Sequence, residues 1–180
     1  MSPRPRRVVV SVAVVALLLA VVPPDALAWR GLATVTGMVQ GTIQGDNTSK
    51  DGAGAIVIKE IGFQMNRPLD PASGQPAGQV RFQPFTLVKE PDRATPKLLK
   101  AAATSERLSV EIKWFRSLTT GVEQHYFTVR LENATIVEME SQGDVTVAGG
   151  VLEGLKLSYG KLVMTDVING TSVDVTPGAP

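Results

Sequence analysis

Between residues 29 and 175 apolar positions recur at every second residue, the spacing of a strand whose successive side chains point to opposite faces. Val35, Gly37, Val39, Gly41 and Ile43 fall on one face of such a segment. Leu108, Val110, Ile112 and Trp114 share a second face, with Glu111 and Lys113 turned away. Phe127, Val129 and Leu131 alternate in the same way with Tyr126, Thr128 and Arg130. Less regular strands are predicted over 55–65, 80–89, 135–140, 152–161 and 163–175. Within 80–89 the apolar face passes from Val80 and Phe82 to Phe85 and Leu87, which predicts a bulge at Pro84. Asn133 is expected to end one strand and turn into the next.

One segment breaks the alternation. Asp92 and Thr95 are both able to cap a helix, Pro96 suits a first turn where no amide is needed, and 97–103 is rich in strong helix formers. Leu98, Leu99 and Ala102 are predicted to pack this helix down. Two polar, glycine-rich stretches, 41–54 and 67–78, are long enough to project as loops, and 176–180 is expected to be a disordered tail. Tyr159, two residues from Leu157 and four from Leu155, is expected at the edge of the core with its hydroxyl seeking a partner.

The first 28 residues follow another logic. Arg4, Arg6 and Arg7 precede an apolar run from Val8 to Val22, then Pro23, Pro24 and the small-residue site Ala26-Leu27-Ala28. This is the outline of a secretory signal peptide, with Trp29 as the mature start. The run is shorter than the roughly 20 residues a membrane span needs. Arg6-Arg7 lacks the rest of a twin-arginine pattern, so a general secretory signal is expected. The product is then periplasmic or secreted, with no stable membrane insertion after cleavage.

Without residues 1–28 the chain carries 15 Lys+Arg and 16 Asp+Glu, a net charge of −1. That balance argues against nucleic acid as a partner. There is no cysteine, so disulfides and thiol chemistry are excluded. The length suits one domain, 29–175.

Enzyme chemistry finds few residues to work with. His125 is the single histidine, and its alternation with Phe127 and Val129 places it on an apolar face or its edge. No nucleophile elbow and no phosphate-binding glycine loop occur. Asp46, Asp51, Asp70 and Asp92 lack calcium-loop spacing, and Glu111 with Glu123 reads as two solvated carboxylates rather than a glycosidase pair. No catalytic, cofactor-binding or metal residue is assigned, and no cofactor is expected.

Three segments carry a resemblance. Residues 85–99 read FTLVKEPDRATPKLL, residues 126–137 read YFTVRLENATIV and residues 152–162 read LEGLKLSYGKL. In this order they resemble the Hcp, or hemolysin-coregulated protein, family of type VI secretion, and with the strand at 56–65 the resemblance spans 44–175. It implies a mainly β fold, a partly closed antiparallel β-barrel of two packed sheets with one short flanking α-helix. It implies a homohexameric ring formed head to tail, stacking of rings into a tube, and secretion-machine components or small effector proteins as further partners in the lumen. By position, 41–54 corresponds to the family's extended loop. The signal peptide departs from the family, whose subunits assemble in the cytoplasm. The alternative is therefore an exported β-barrel binding module of the periplasm or cell surface.

Overall fold

Alternation turns into strands wherever a second strand can take up the backbone hydrogen bonds, and among the described residues eleven strands, one α-helix and a 3-10 turn at Lys50–Gly52 result. The computed structural model describes residues 29–143 and 150–177. The predicted signal peptide, its junction at Ala28 and residues 178–180 of the predicted tail lie outside the described residues; Thr176 and Pro177 lie within them. In chain order the elements are β1 (Trp29–Gly37), β2 (Gly41–Ile43), β3 (Ile56–Gly62), β4 (Met65–Asn66), β5 (Arg81–Phe82), β6 (Phe85–Lys89), α1 (Thr95–Ala103), β7 (Leu108–Ser117), β8 (Glu123–Gly143), β9 (Val151–Ser158), β10 (Lys161–Asp166) and β11 (Thr171–Val175).

Nine strands join one antiparallel sheet, and the small β4–β5 pair stands apart. Pairing runs from β8 through β7, β1, β3, β6 and β9 and returns to β8, so this circuit closes on itself. Closure is possible because two strands serve two neighbours along one side. Gly31–Ala33 of β1 pairs with β3 while Val35–Gly37 pairs with β2, and the first half of β8 pairs with β10 while its second half pairs with β9. Inside lies one core that includes Ile112, Val129, Leu131 and Phe85, all fully buried. Helix α1 packs beside β8. The expected mainly β, partly closed barrel with a flanking helix is therefore the observed fold.

Several boundaries differ from expectation, each for a local reason. The predicted strand from Val35 to Ile43 is a hairpin. Val35 pairs with Ile43, so both face the core, while Val39 at the tip is 86% exposed. Gly41, at φ +66°, supplies the left-handed backbone that the turn requires. Asn133 also adopts positive φ, 52°, yet it bends a single 21-residue strand rather than ending it. The ladder to β7 slips there, with Leu108 opposite Ala134 and Val110 opposite Leu131. Around Pro84 the chain leaves the sheet altogether instead of bulging: β5 belongs to the β4–β5 pair and β6 to the main sheet. The segment 152–161 breaks at Tyr159-Gly160, and 163–175 is the β10–β11 hairpin.

Helix α1 begins at Thr95 with Pro96 in its first turn, as expected, but it sits rotated by one residue. Leu98 and Ala101 are buried and Ala102 packs partly, whereas Leu99 is 57% exposed. Neither Asp92 nor Thr95 caps it, because Ala94 stands at the N-cap position with no side-chain cap bond, and the two instead brace the turn that leads into the helix. The Asp92 carboxylate accepts from the Ala94 amide and the Thr95 hydroxyl oxygen accepts from the Asp92 amide.

Candidate functional site

The two predicted loops behave differently. Residues 44–55 close on themselves, since the Gly45 amide donates to the Gly54 carbonyl, the Asn47 amide to Ala55 and the Gly54 amide to Asn47, and Arg93 ties them to the scaffold by donating from Nε to the Gly45 carbonyl. Residues 63–84 instead form an arm. Its base is the β4–β5 pair, its middle an Ala77 amide donating to the Pro68 carbonyl, and its tip a turn in which Asp70 accepts from Ala72 and Ser73. Met65 and Leu69 on this arm are 58% and 62% exposed.

Two side-chain clusters, both unnoticed in the sequence, hold the scaffold in shape. At the root of α1 the Lys89 ammonium is fully buried. It donates to Glu153 at 2.7 Å, Thr95 at 3.0 Å and the Glu90 carbonyl at 2.8 Å, and lies 2.9 Å from Asp92. The Thr95 hydroxyl in turn donates to Glu153 at 2.8 Å. Lys89 and Glu153 are direct cross-strand partners in the β6–β9 register. The sequence did carry a signal, because Lys89 continues the buried parity of Phe85 and Leu87, and Glu153 that of Leu155 and Leu157. A charge on the core face of each of two paired strands is the mark of a buried pair.

The second cluster fixes the β1–β2 turn. Glu106, buried, accepts through Oε1 from the Val39 amide at 2.7 Å and the Gln40 amide at 2.8 Å, and through Oε2 from the Gln40 side chain. These donors, the Gln40 amide foremost and then its side chain, hold the Glu106 carboxyl below its ordinary value. A depressed carboxyl stabilises the fold at pH above its unfolded value, and that contribution is lost as pH falls through the folded one. The Val39 and Gln40 amide resonances are therefore expected to titrate together with a midpoint below 4.5, the ordinary value for this carboxyl. In Glu106→Gln both titrations should vanish; amides that stay fixed through the acid range in the parent would refute the cap.

The side chains weighed for catalysis are scattered. His125 is half-buried, with Nε2 2.9 Å from the Thr128 hydroxyl and its ring 5.3 Å from that of Phe115. Glu111 is bound by Arg130 at 2.7 Å and faces Lys113 at 3.3 Å, while Glu123 pairs with Arg30 at the far end of β7 and β8. Asp46 pairs with Arg93 at 3.2 Å, Asp92 is committed to Lys89, and Asp70 to its own turn. Among the described residues no three acidic or histidine side chains gather as metal ligands, and no helix is long and apolar enough to cross a membrane.

What the scaffold leaves unpaired is backbone. Among the described residues β2 pairs with β1 alone and β11 with β10 alone, so a run of six strands, β2-β1-β7-β8-β10-β11, ends in two open edges. On β11 the first four residues are exposed, Val173 by 62%. Open edges of this kind are what neighbouring chains can join.

Among the described residues, a closed antiparallel circuit carrying one short helix, a hairpin arm and two open edges defines a β-scaffold protein. Comparison with known proteins gives the family. The sequence profile of the family described as type VI secretion system effector, Hcp, matches residues 34–165. The chain is 32% identical over 154 residues to the major exported protein of Pseudomonas aeruginosa, covering 77% of this chain and 90% of that protein. A crystal structure of Hcp protein matches with a TM-score of 0.77 at 29% identity, covering 82% of this chain and 98% of the other. A mutant form of the Hcp1 protein from E. coli EAEC 042 gives 0.76 at 26% identity, with 83% and 99% covered. The chain belongs to the Hcp family of type VI secretion.

Proposed function

We propose that this chain is a ring-forming subunit of the type VI secretion kind. Six copies join head to tail around a channel, rings stack into a tube, and the assembly carries small effector proteins or is itself the secreted product. Its role is structural, without catalysis or cofactor. The observation that carries this reading is the pair of open strand edges at opposite ends of one six-stranded run, in a chain whose family match covers residues 34–165, from β1 into β10. Surfaces at opposite ends of a protomer join copies in a heterologous, repeating way. The leader, with Arg4, Arg6 and Arg7 before the apolar run from Val8, directs export, and removal after Ala28 yields a chain starting at Trp29.

The same leader favours a second reading, an exported module that keeps the scaffold and binds a ligand as a single copy. Light scattering coupled to size exclusion on residues 29–180 separates the two. A mass six times that of the chain is expected. A single-chain mass at every accessible concentration would overturn the ring and leave the module.

A further inference from the structure

The end of the scaffold where β1 begins carries an apolar surface that the core does not cover. We infer that this end is a lipid-contact face, which seats Trp29 and the two hairpin tips beside it in the interfacial layer of a bilayer. The inference goes beyond the ring reading and holds for one copy as for six.

Strand register brings the parts together. Trp29 lies opposite Arg116, next to the β7–β8 hairpin whose tip reads Leu118-Thr119-Thr120-Gly121-Val122. The β10–β11 turn, Val167-Ile168-Asn169-Gly170, starts at the same end, since the Val167 amide donates to the Tyr126 carbonyl. Trp29 stands edge-on to the Tyr126 ring at 5.3 Å, and the Arg116 guanidinium lies 5.5 Å from the centre of that ring. Trp29, Val122 and Ile168 are 59%, 60% and 47% exposed, and Leu118 and Val167 are exposed with them.

Two features suit these tips to lipid. Neither holds a charged side chain, and the carboxylates at their bases are engaged, Glu123 by Arg30 and Asp166 by the Ile168 and Asn169 amides. The β7–β8 tip also closes its own backbone bonds, Leu118 donating to Val122 and Gly121 to Leu118. Backbone satisfied within the protein is the condition for entering the edge of a bilayer without a large penalty. Trp and Tyr favour that layer, and an arginine beside them reaches back to the headgroups.

The chain ahead of Trp29 says which partner this end meets. The apolar run of the leader closes at Val22, and Trp29 follows seven residues later, about 24 Å at full stretch. Export by such a leader therefore holds this end at the membrane until the leader is removed. The nine residues of β1 set the opposite end about 26 Å further off. Contact through a small, uncharged face is reversible and driven by apolar burial.

Residues 29–180, the exported form, should float with phosphatidylcholine vesicles and equally with vesicles containing phosphatidylglycerol, at low and at high salt. Val122→Ser with Ile168→Ser should lower the vesicle partition coefficient about tenfold. The urea midpoint should not move, because both side chains stand in water. Vesicles of brominated lipid should quench the emission of Trp29. Trp29→Tyr, which leaves Trp114 as the single tryptophan and keeps an interfacial aromatic, should float without that quenching. Parent protein that stays unbound at every lipid concentration would overturn the contact. So would flotation confined to phosphatidylglycerol and abolished by salt, which assigns the attraction to basic side chains elsewhere. A double variant that floats like the parent would show that the tips are not the site. If no vesicle is bound and the double variant instead lowers the mass found by light scattering, a second copy covers this end and the lipid assignment falls.

Discussion

Lys89→Met is expected to destabilise the fold by about 3–5 kcal/mol, because it strands Glu153 without its counter-charge in a site closed to water. Lys89 is fully buried and Glu153 is 2% exposed, so no solvent replaces the missing ammonium. The Thr95 hydroxyl still donates to Glu153, but one neutral hydrogen bond recovers only about 1 kcal/mol. Replacing both partners removes the buried charge pair together, so Lys89→Met with Glu153→Leu should recover most of the loss. Urea unfolding of the parent, both single variants and the double variant closes the cycle. A single variant within about 1 kcal/mol of the parent would mean that the network does not hold α1 and the β6–β9 ladder together.

Phe85→Ala should cost about 3–5 kcal/mol by the transfer and cavity terms of a large buried side chain. Phe85 is fully buried and opens β6 where the chain returns from the arm, directly opposite Leu157, which itself pairs with Ile136. These three residues form the row on which the circuit closes from β6 through β9 to β8. Met65→Ala, on the exposed arm, should change stability by less than about 0.5 kcal/mol. Equal losses in the two variants, measured by thermal and urea unfolding, would contradict a core that ends at Phe85.

Much of the fold was legible because strand parity is a local property. Leu108, Val110 and Ile112 alternate with polar neighbours and are buried as that alternation demands. The helix start at Thr95-Pro96 was legible for the same reason, since a first-turn proline acts within a few residues, whereas the expected side-chain cap is absent. What was misread depended on distant partners. Val39 keeps the parity of Val35 and Ile43 but sits at a hairpin tip, and the group that fixes this turn is Glu106, 67 residues away along the chain. Asn133 carries a turn signal, yet the long second half of β8 is drawn onward by β9. Leu99 has the composition of a core residue, and the rotation of α1 is set by Leu98 and Ala101 fitting the core. The open edges of β2 and β11 were not legible at all, because strand order appears only when all partners are placed. Of the two charge clusters one was readable in part, Lys89 and Glu153 by parity, whereas nothing local pointed to Glu106.

The position of β1 between β7 and β3 has a consequence for the timing of folding. The first strand of the scaffold to emerge is an inner one, and its β7 partners lie 71 to 87 residues downstream. At about 5–20 residues per second of synthesis, β1 waits on the order of ten seconds with one side bare. Only β2 and β3 arrive early enough to shield part of it. A nascent chain of this design therefore leaves one edge of β1 open to unintended strand partners until β7 appears.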